Sequence, residues 1–396
     1  MHIYPDASAV ARALAPDEPV ILNRPQAAER AARFFAEKFP GKSLYAVKAN
    51  PSAELLAVLW NAGITHYDVA SIAEVRAVRA ALPEAVLCFM HPVKTARAIT
   101  EAYTDHGVRV FSLDTQEELE KIVAATDGAE DLSLCVRLRV SSDYSELSLA
   151  AKFGIDLADA APLLQSTRQV ADSLGICFHV GSQAMTPFAY VQALERVRVA
   201  IVDAAVTVDI VDVGGGFPSI YPGMEPPPLE DFFGAIHRAA ESLPVSYSSE
   251  LWCEPGRALC AEYNSLVVRV EKRRGDELYI NDGAYGALFD AAHVGWRFPV
   301  KCLNDAKRGA DEEFSFYGPT CDDADFMKGP FMLPADIAAG DYIEVGMLGA
   351  YGAAMRTAFN GFGQGAVVEA SDEPMASQYR GDRRDPRMSD NVVSLR

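Results

Sequence analysis

What this chain has little of narrows its function first. Positive charge is scarce: 36 Lys and Arg stand against 55 Asp and Glu in 396 residues, a formal net charge of -19. Neutralising phosphates needs a basic surface, so the balance argues against nucleic-acid binding. No apolar run is long enough to span a bilayer. No basic segment followed by an apolar core opens the chain, so no secretory signal is expected. The seven cysteines are odd in number and dispersed, with Cys88, Cys135, Cys177 and Cys253 inside apolar strand-like runs. That pattern argues against a disulfide framework and for a reducing, cytoplasmic setting. There is no CxxC pair and no His/Cys cluster, so no metal is expected. GxGxxG and the P-loop lysine are also missing.

What is present is ordinary globular composition, 49% hydrophobic and 23% charged, enough for a large core in one or two domains. Eight short apolar runs read as strands: Ser43–Lys48, Thr65–Ala70, Ala85–Met90, Val108–Leu113, Leu132–Val140, Gly175–Val180, Val208–Val213 and Ser249–Cys253. Helix-like stretches alternate with them, among them Ala53–Ala62, Ile72–Leu82, Thr115–Ala125 and Phe188–Ala204. Alternation implies parallel βαβ units, and eight is the strand count of a (β/α)8 TIM-like barrel. A doubly wound open sheet is the runner-up. After about Glu262 the runs become short, β-branched or aromatic, and punctuated by glycine. Leu266–Glu271, Glu277–Ile280, Phe314–Tyr317 and Asp341–Val345 read as a mainly antiparallel β domain, with Val20–Leu22 a candidate to join it. The expected division is residues 23–262 as barrel, 1–22 and 263–370 as β domain, and 371–396 as a mobile polar tail.

Barrel active sites form at the C-terminal strand ends. Here those ends carry Lys48, Asp68, Arg137 or Arg139, His179 to Ser182, Gly214 to Gly216, and Glu254 to Arg257. A lysine closing a buried strand is unusual, and partial burial would lower its pKa toward a nucleophile. Its plain reading is a strand-end lysine reaching solvent. Gly214, Gly215 and Gly216 let a backbone approach an anion; a simple turn is the plain reading. With Gly256 and Arg257 at the next strand end, a phosphate cup is favoured. A lone His such as His179 is more often a satisfied rim residue. Glu254 could pair with Arg257, or hold a pyridinium nitrogen. Downstream, Cys321 sits among Asp322, Asp323 and Asp325. Adjacent negative charge would raise its pKa and suit it to proton donation. Tyr285, Asp290 and Tyr351 are further candidates.

Six ordered motifs now stand together: Tyr45 to Asn50 (YAVKAN), His179 to Ser182 (HVGS), Asp212 to Pro218 (DVGGGFP), Glu254 to Arg257 (EPGR), Gly318 to Asp322 (GPTCD) and Phe359 to Phe362 (FNGF). In these the chain resembles the fold-type III, alanine racemase-like pyridoxal-phosphate decarboxylases, in the ornithine decarboxylase branch, over roughly residues 20 to 365. The resemblance implies pyridoxal 5'-phosphate attached to Lys48, Glu254 at the pyridine nitrogen and His179 stacked on the ring. It implies Ser182, Gly214, Gly215, Gly216, Gly256, Arg257 and Tyr351 at the phosphate, with Asp68 and Arg137 supporting Lys48 and the ring. It further implies a head-to-tail homodimer with shared sites. Cys321 of one subunit would protonate the reacting carbon in the other. Asp290 and Asp322, with Tyr285 and Phe359 beside them, would bind the distal ammonium of a basic amino acid.

The implied activity is decarboxylation of L-ornithine to putrescine, with L-lysine a second substrate. Ornithine and lysine differ by one methylene, worth only ~1–3 kcal/mol in a pocket. Gln183 after Ser182 resembles the diaminopimelate decarboxylase branch, which stays an alternative; Asp322 and Asp323 where that branch carries Glu-Ser favour a simple diamine product. A racemase and a non-catalytic regulatory homologue are further alternatives. Retention of Lys48, His179, Glu254, Arg257 and Cys321 argues against the latter.

Overall fold

The computed structural model of the chain describes residues 2–141, 143–149, 151–306 and 309–379. The eight expected runs all become strands: β1 (Lys42–Ala46), β2 (His66–Val69), β3 (Val86–Phe89), β4 (Val110–Leu113), β5 (Ser133–Arg137), β6 (Ser173–Cys177), β7 (Ile210–Asp212) and β8 (Glu250–Cys253). They pair in parallel in chain order and close, β8 against β1, into a (β/α)8 barrel. The open-sheet alternative falls with that closure. The helices lie outside it. Ser71 and Thr115 cap two of them by accepting the N–H groups of Glu74 and Glu118, each at 3.2 Å, as short hydroxyl side chains before a helix do.

Apolar side chains and thiols fill the barrel. Leu44, Cys88, Met90, Val110, Cys135, Cys177, Ile210 and Trp252 form one buried inner cluster. Gly175 faces Cys135 so closely that any side chain there would overlap its sulfur. Burial pushes the Cys88, Cys135, Cys177 and Cys253 thiols well up, so they act as packing groups and not as nucleophiles.

Most strands stop short of the apolar runs that announced them. β1 ends at Ala46, and Lys48 lies two residues further on, in the 3-10 turn Val47–Ala49. Val47, Val180 and Val213 are fully buried just past their strands. They continue the apolar run past the last ladder pair, which makes the apolar runs longer than the strands.

The second sheet is mixed. β9 (Asn264–Arg274) pairs antiparallel with β10 (Glu277–Ile280), with β13 (Tyr342–Val345) and with Val20–Asn23. β11 (Asp311–Tyr317) pairs antiparallel with β12 (Phe326–Pro334), but parallel with β10. The segment Ala366–Ala370 lies parallel to Val20–Asn23. An asparagine chain joins this sheet to the barrel rim. Asn264 donates to Asn23 at 2.6 Å, and Asn50 donates to Asn264 at 3.0 Å and to the Gly349 carbonyl at 2.9 Å.

The expected mobile tail needs correction over its first part. Asp372 accepts from buried Arg24, which also pairs with Glu344 at 2.8 Å. Tyr379 is buried and donates to the Ala258 carbonyl at 2.6 Å. Polar composition misled here: a few well-placed partners anchor a charged segment as firmly as apolar contacts would. The charged run after Tyr379 lies outside the described residues.

Candidate active site

Lys48 is held in position by its neighbours. Tyr45 donates to the Asn50 carbonyl at 3.0 Å, and Tyr351 donates its N–H to the Ala49 carbonyl at 2.7 Å. The ammonium reaches the mouth of the barrel, where its side chain is 42% exposed, and meets Asp68 at 3.2 Å. The expected fall in its pKa is overturned. Desolvation does pull it down, but the charge of Asp68 outweighs this and the net shift is upward. Lys48 therefore rests as an ammonium.

A cavity of about 270 Å³ opens above the barrel core. Lys48, Asp68, Arg137, His179 and Glu254 line it together, with Met90, His91, Lys152 and Phe153. Desolvation, then Lys48 and Arg137, push His179 well below its ordinary pKa, so its ring is neutral. Its Nδ1 faces the Gly181 N–H at 3.1 Å and accepts from it, which leaves the proton on Nε2. Glu254 is buried, and desolvation with the like charges of Asp212 and Asp68 pushes its pKa well up.

Three strand-end loops make a cup beside this cavity. Ala184 donates to the Gly216 carbonyl at 2.8 Å, and Glu254 donates its N–H to Gly214 at 2.9 Å. Gly214 has φ +67, and a side chain there would collide with the Phe178 carbonyl. A Cβ on Gly215 would sit 2.9 Å from His179 Nε2, and one on Gly256 would crowd Ala46 and Ala49 at 3.2 Å. A cradle cleared of side chains and bordered by Ser182, Arg257 and Tyr351 fits a phosphate. A planar ring fits between neutral His179 and the carboxyl of Glu254. The residues present therefore fit pyridoxal phosphate.

Arg257, expected at the phosphate, and Asp290, expected at the distal ammonium, are joined by the fold at 3.4 Å. Arg257 also donates to the Tyr221 hydroxyl at 3.1 Å and lies over the rings of Trp296 and Tyr351. A buried guanidinium needs a counter-charge, and Asp290 supplies it, so Glu254 does not pair with Arg257. Cys321, Asp322 and Phe359 are also apart from Lys48. Cys321 and Asp322 line a separate acidic cleft of about 630 Å³ with Asp17, Glu18 and Glu271. There the Tyr285 hydroxyl donates to Asp322, which lowers the carboxyl's pKa, and the Tyr285 ring lies 4.8 Å from Phe359.

Sequence reasoning missed the contacts of two residues. Asn360 accepts from both the N–H and the thiol of Cys321 at 3.2 Å; the motif FNGF held the signal, but not the contact. Gln183 is buried at φ +60 and clamps Ser219: the Ser219 N–H donates to it at 3.0 Å, and its own amide donates to the Ser219 carbonyl. The clamp ties two loops of the cup. Gln183→Ala would leave both Ser219 groups buried and unpaired, at about 1–3 kcal/mol. Denaturant unfolding should show that loss, and pyridoxal phosphate titration a weaker affinity.

A lysine, a carboxyl and a glycine cup at the mouth of a (β/α)8 barrel, with a β domain fastened to its rim, define a pyridoxal-phosphate enzyme of the fold-type III class. The comparisons place it further. Residues 26–261 match the family model of the pyridoxal-binding domain of pyridoxal-dependent decarboxylases. Lysine/ornithine decarboxylase of Selenomonas ruminantium is 32% identical over 340 residues, covering 83% of this chain and 84% of that protein. Ornithine decarboxylase of Mus musculus is 30% identical over 365 residues, covering 84% and 76%. Among solved structures, the arginine decarboxylase of Paramecium bursaria Chlorella virus bound to agmatine superposes with a TM-score of 0.82. It is 26% identical and is covered over 98% of its length by 91% of this chain. The chain belongs to the pyridoxal-dependent amino-acid decarboxylases; it is a carboxy-lyase that uses pyridoxal phosphate. No helix among the described residues is long and apolar enough to cross a membrane.

Proposed function

We propose that the protein decarboxylates L-ornithine to putrescine, with L-lysine as a second substrate giving cadaverine, in a cytoplasmic head-to-tail homodimer whose two subunits share each active site. One observation carries this reading: Asp322, braced by Tyr285, and exposed Cys321 face a cleft of their own, away from the Lys48 cavity of the same chain. A cation-binding carboxylate and a proton donor so placed suit a substrate held by a second copy. The acidic lining suits a distal ammonium better than a second carboxylate, which disfavours diaminopimelate. The names of the relatives support a basic amino acid.

When bound, pyridoxal phosphate supplies the electron sink that takes the charge left as carbon dioxide departs. The protein's residues do the rest. Lys48 tethers the cofactor, and Asp68 holds its ammonium when free. Ser182, the N–H groups of Gly214 to Gly216, Gly256, Arg257 and Tyr351 hold the phosphate, with Asp290 balancing Arg257. Glu254 meets the ring nitrogen. His179, kept neutral by burial and two nearby cations, covers the ring face, and Arg137 stands beside it. The partner's Asp322 sets the distance to the substrate amine. The partner's Cys321 thiol, aligned by Asn360, returns a proton to the reacting carbon.

A panel of ornithine, lysine, diaminopimelate and arginine, with product identification, tests the substrate. Asp322→Ala should lower kcat/KM for ornithine on the order of 10²–10³-fold, the cost of an unpaired buried ammonium, and leave cofactor affinity unchanged. Equal losses in both would refute its role; fastest turnover of diaminopimelate would establish the alternative.

A further inference from the structure

The barrel holds one buried acid that none of these roles uses. Asp212 ends β7 and is 0% exposed. Its Oδ1 accepts the Gly214 N–H at 2.8 Å. Its Oδ2 is buried and meets no hydrogen-bond donor among the described residues. An ionised oxygen left so in a barrel core is costly. The side chain beside it is another acid. Glu254 follows Trp252, the register partner of Asp212 on β8, by two residues, and its N–H donates to the Gly214 carbonyl at 2.9 Å. One glycine peptide thus bridges the two acids, and Glu254 is the neighbouring side chain able to serve the unpartnered Oδ2. Ionised carboxylates only accept, so a bond from Glu254 to that oxygen requires a proton on one of the two acids.

We propose that Asp212 and Glu254 hold a single proton between them, carried on Glu254 and donated to Oδ2 of Asp212. Asp212 is then a positioning residue that sets the protonation state of the cofactor-facing acid. The groups facing the pair are Asp68, Lys48, Arg137 and the thiols of Cys88, Cys135, Cys177 and Cys253. The thiols stay neutral through burial. The two cations pull against the proton, but burial and the charges of Asp212 and Asp68 outweigh them at Glu254. Asp212 already accepts the Gly214 N–H at Oδ1, a bond that favours its ionised form, so the proton belongs on Glu254.

One consequence rests on the proposed role of Glu254. If pyridoxal phosphate binds with its ring nitrogen on Glu254, that acid would supply the nitrogen's proton from its own O–H, so none need be drawn from solvent and the charge of the site would be unchanged.

Infrared spectroscopy of the full-length, cofactor-free protein tests the shared proton. The carbonyl stretch of a protonated carboxylic acid should persist at about pH 8, where ordinary carboxyls are ionised. Part of it should shift when glutamate is carbon-13 labelled, and that part should vanish in Glu254→Gln and in Asp212→Asn. No glutamate-derived band in the wild type overturns the proposal without any variant; a band surviving Asp212→Asn overturns the part given to Asp212. Proton uptake on adding pyridoxal phosphate tests the delivery step. Asp212→Asn should take up about one proton more per chain than the wild type, because its Glu254 starts ionised. Equal uptake, with the infrared result intact, overturns delivery and with it the contact between Glu254 and the ring nitrogen.

Discussion

Lys48→Ala is expected to abolish the visible absorbance of bound pyridoxal phosphate and to lower turnover on the order of 10⁴-fold or more, the scale of losing a covalent catalytic group. The expectation follows from position. Lys48 and Lys152 are the lysines lining the cavity. Lys48 faces Asp68 at 3.2 Å and sits on a turn clamped from both sides by Tyr45 and Tyr351. Among the described residues Lys152 has no such frame; its ammonium lies 4.9 Å from the Phe153 ring. Lys152→Ala should therefore keep the absorbance that Lys48→Ala loses. Absorption spectra and borohydride trapping of the two variants distinguish them directly. A wild-type protein that binds no pyridoxal phosphate would instead favour a regulatory homologue.

Mixing inactive Lys48→Ala and Cys321→Ala subunits should restore activity to about a quarter of wild type. With free exchange half the dimers are mixed, and one of the two sites in each is intact. This follows from the separation of the two halves of the chemistry. Within one chain Lys48 and Glu254 line one cavity, while Cys321 and Asp322 line another. Mass spectrometry would confirm subunit exchange. No recovery despite exchange would place Cys321 outside the shared site. The same mixture made with Asp322→Ala should recover ornithine turnover to a similar extent, because the two residues share a cleft.

Much of the fold could be read because its signals are local. Alternating apolar and amphipathic runs do not depend on distant partners, and all eight barrel strands lie where those runs lie. Strand ends were harder. Val47, Val180 and Val213 are apolar for rim packing, a contact with elements far away in the chain. The tail was misjudged for the same reason: Tyr379 and Asp372 are anchored by Ala258 and Arg24, more than a hundred residues upstream. At the site, residue types told which groups gather at the rim. They did not tell which groups touch. Arg257 chose Asp290 over Glu254, and Lys48 gained a proton-holding partner where burial alone suggested a loss.

By itself the sequence determined the barrel and the β domain, through periodicity and glycine placement, and, through the resemblance its contiguous motifs carry, the cofactor. The tertiary structure alone decided protonation and pairing: Lys48 as an ammonium on Asp68, His179 as a neutral ring, Arg257 on Asp290, and Glu254 beside Asp212. Charge states are set by burial and by neighbours a few ångströms away, and those neighbours come from different strands. Asp212 shows the difference best. In the sequence it is the first letter of a glycine motif; inside the barrel it carries an unserved carboxylate oxygen beside the acid proposed to meet the cofactor.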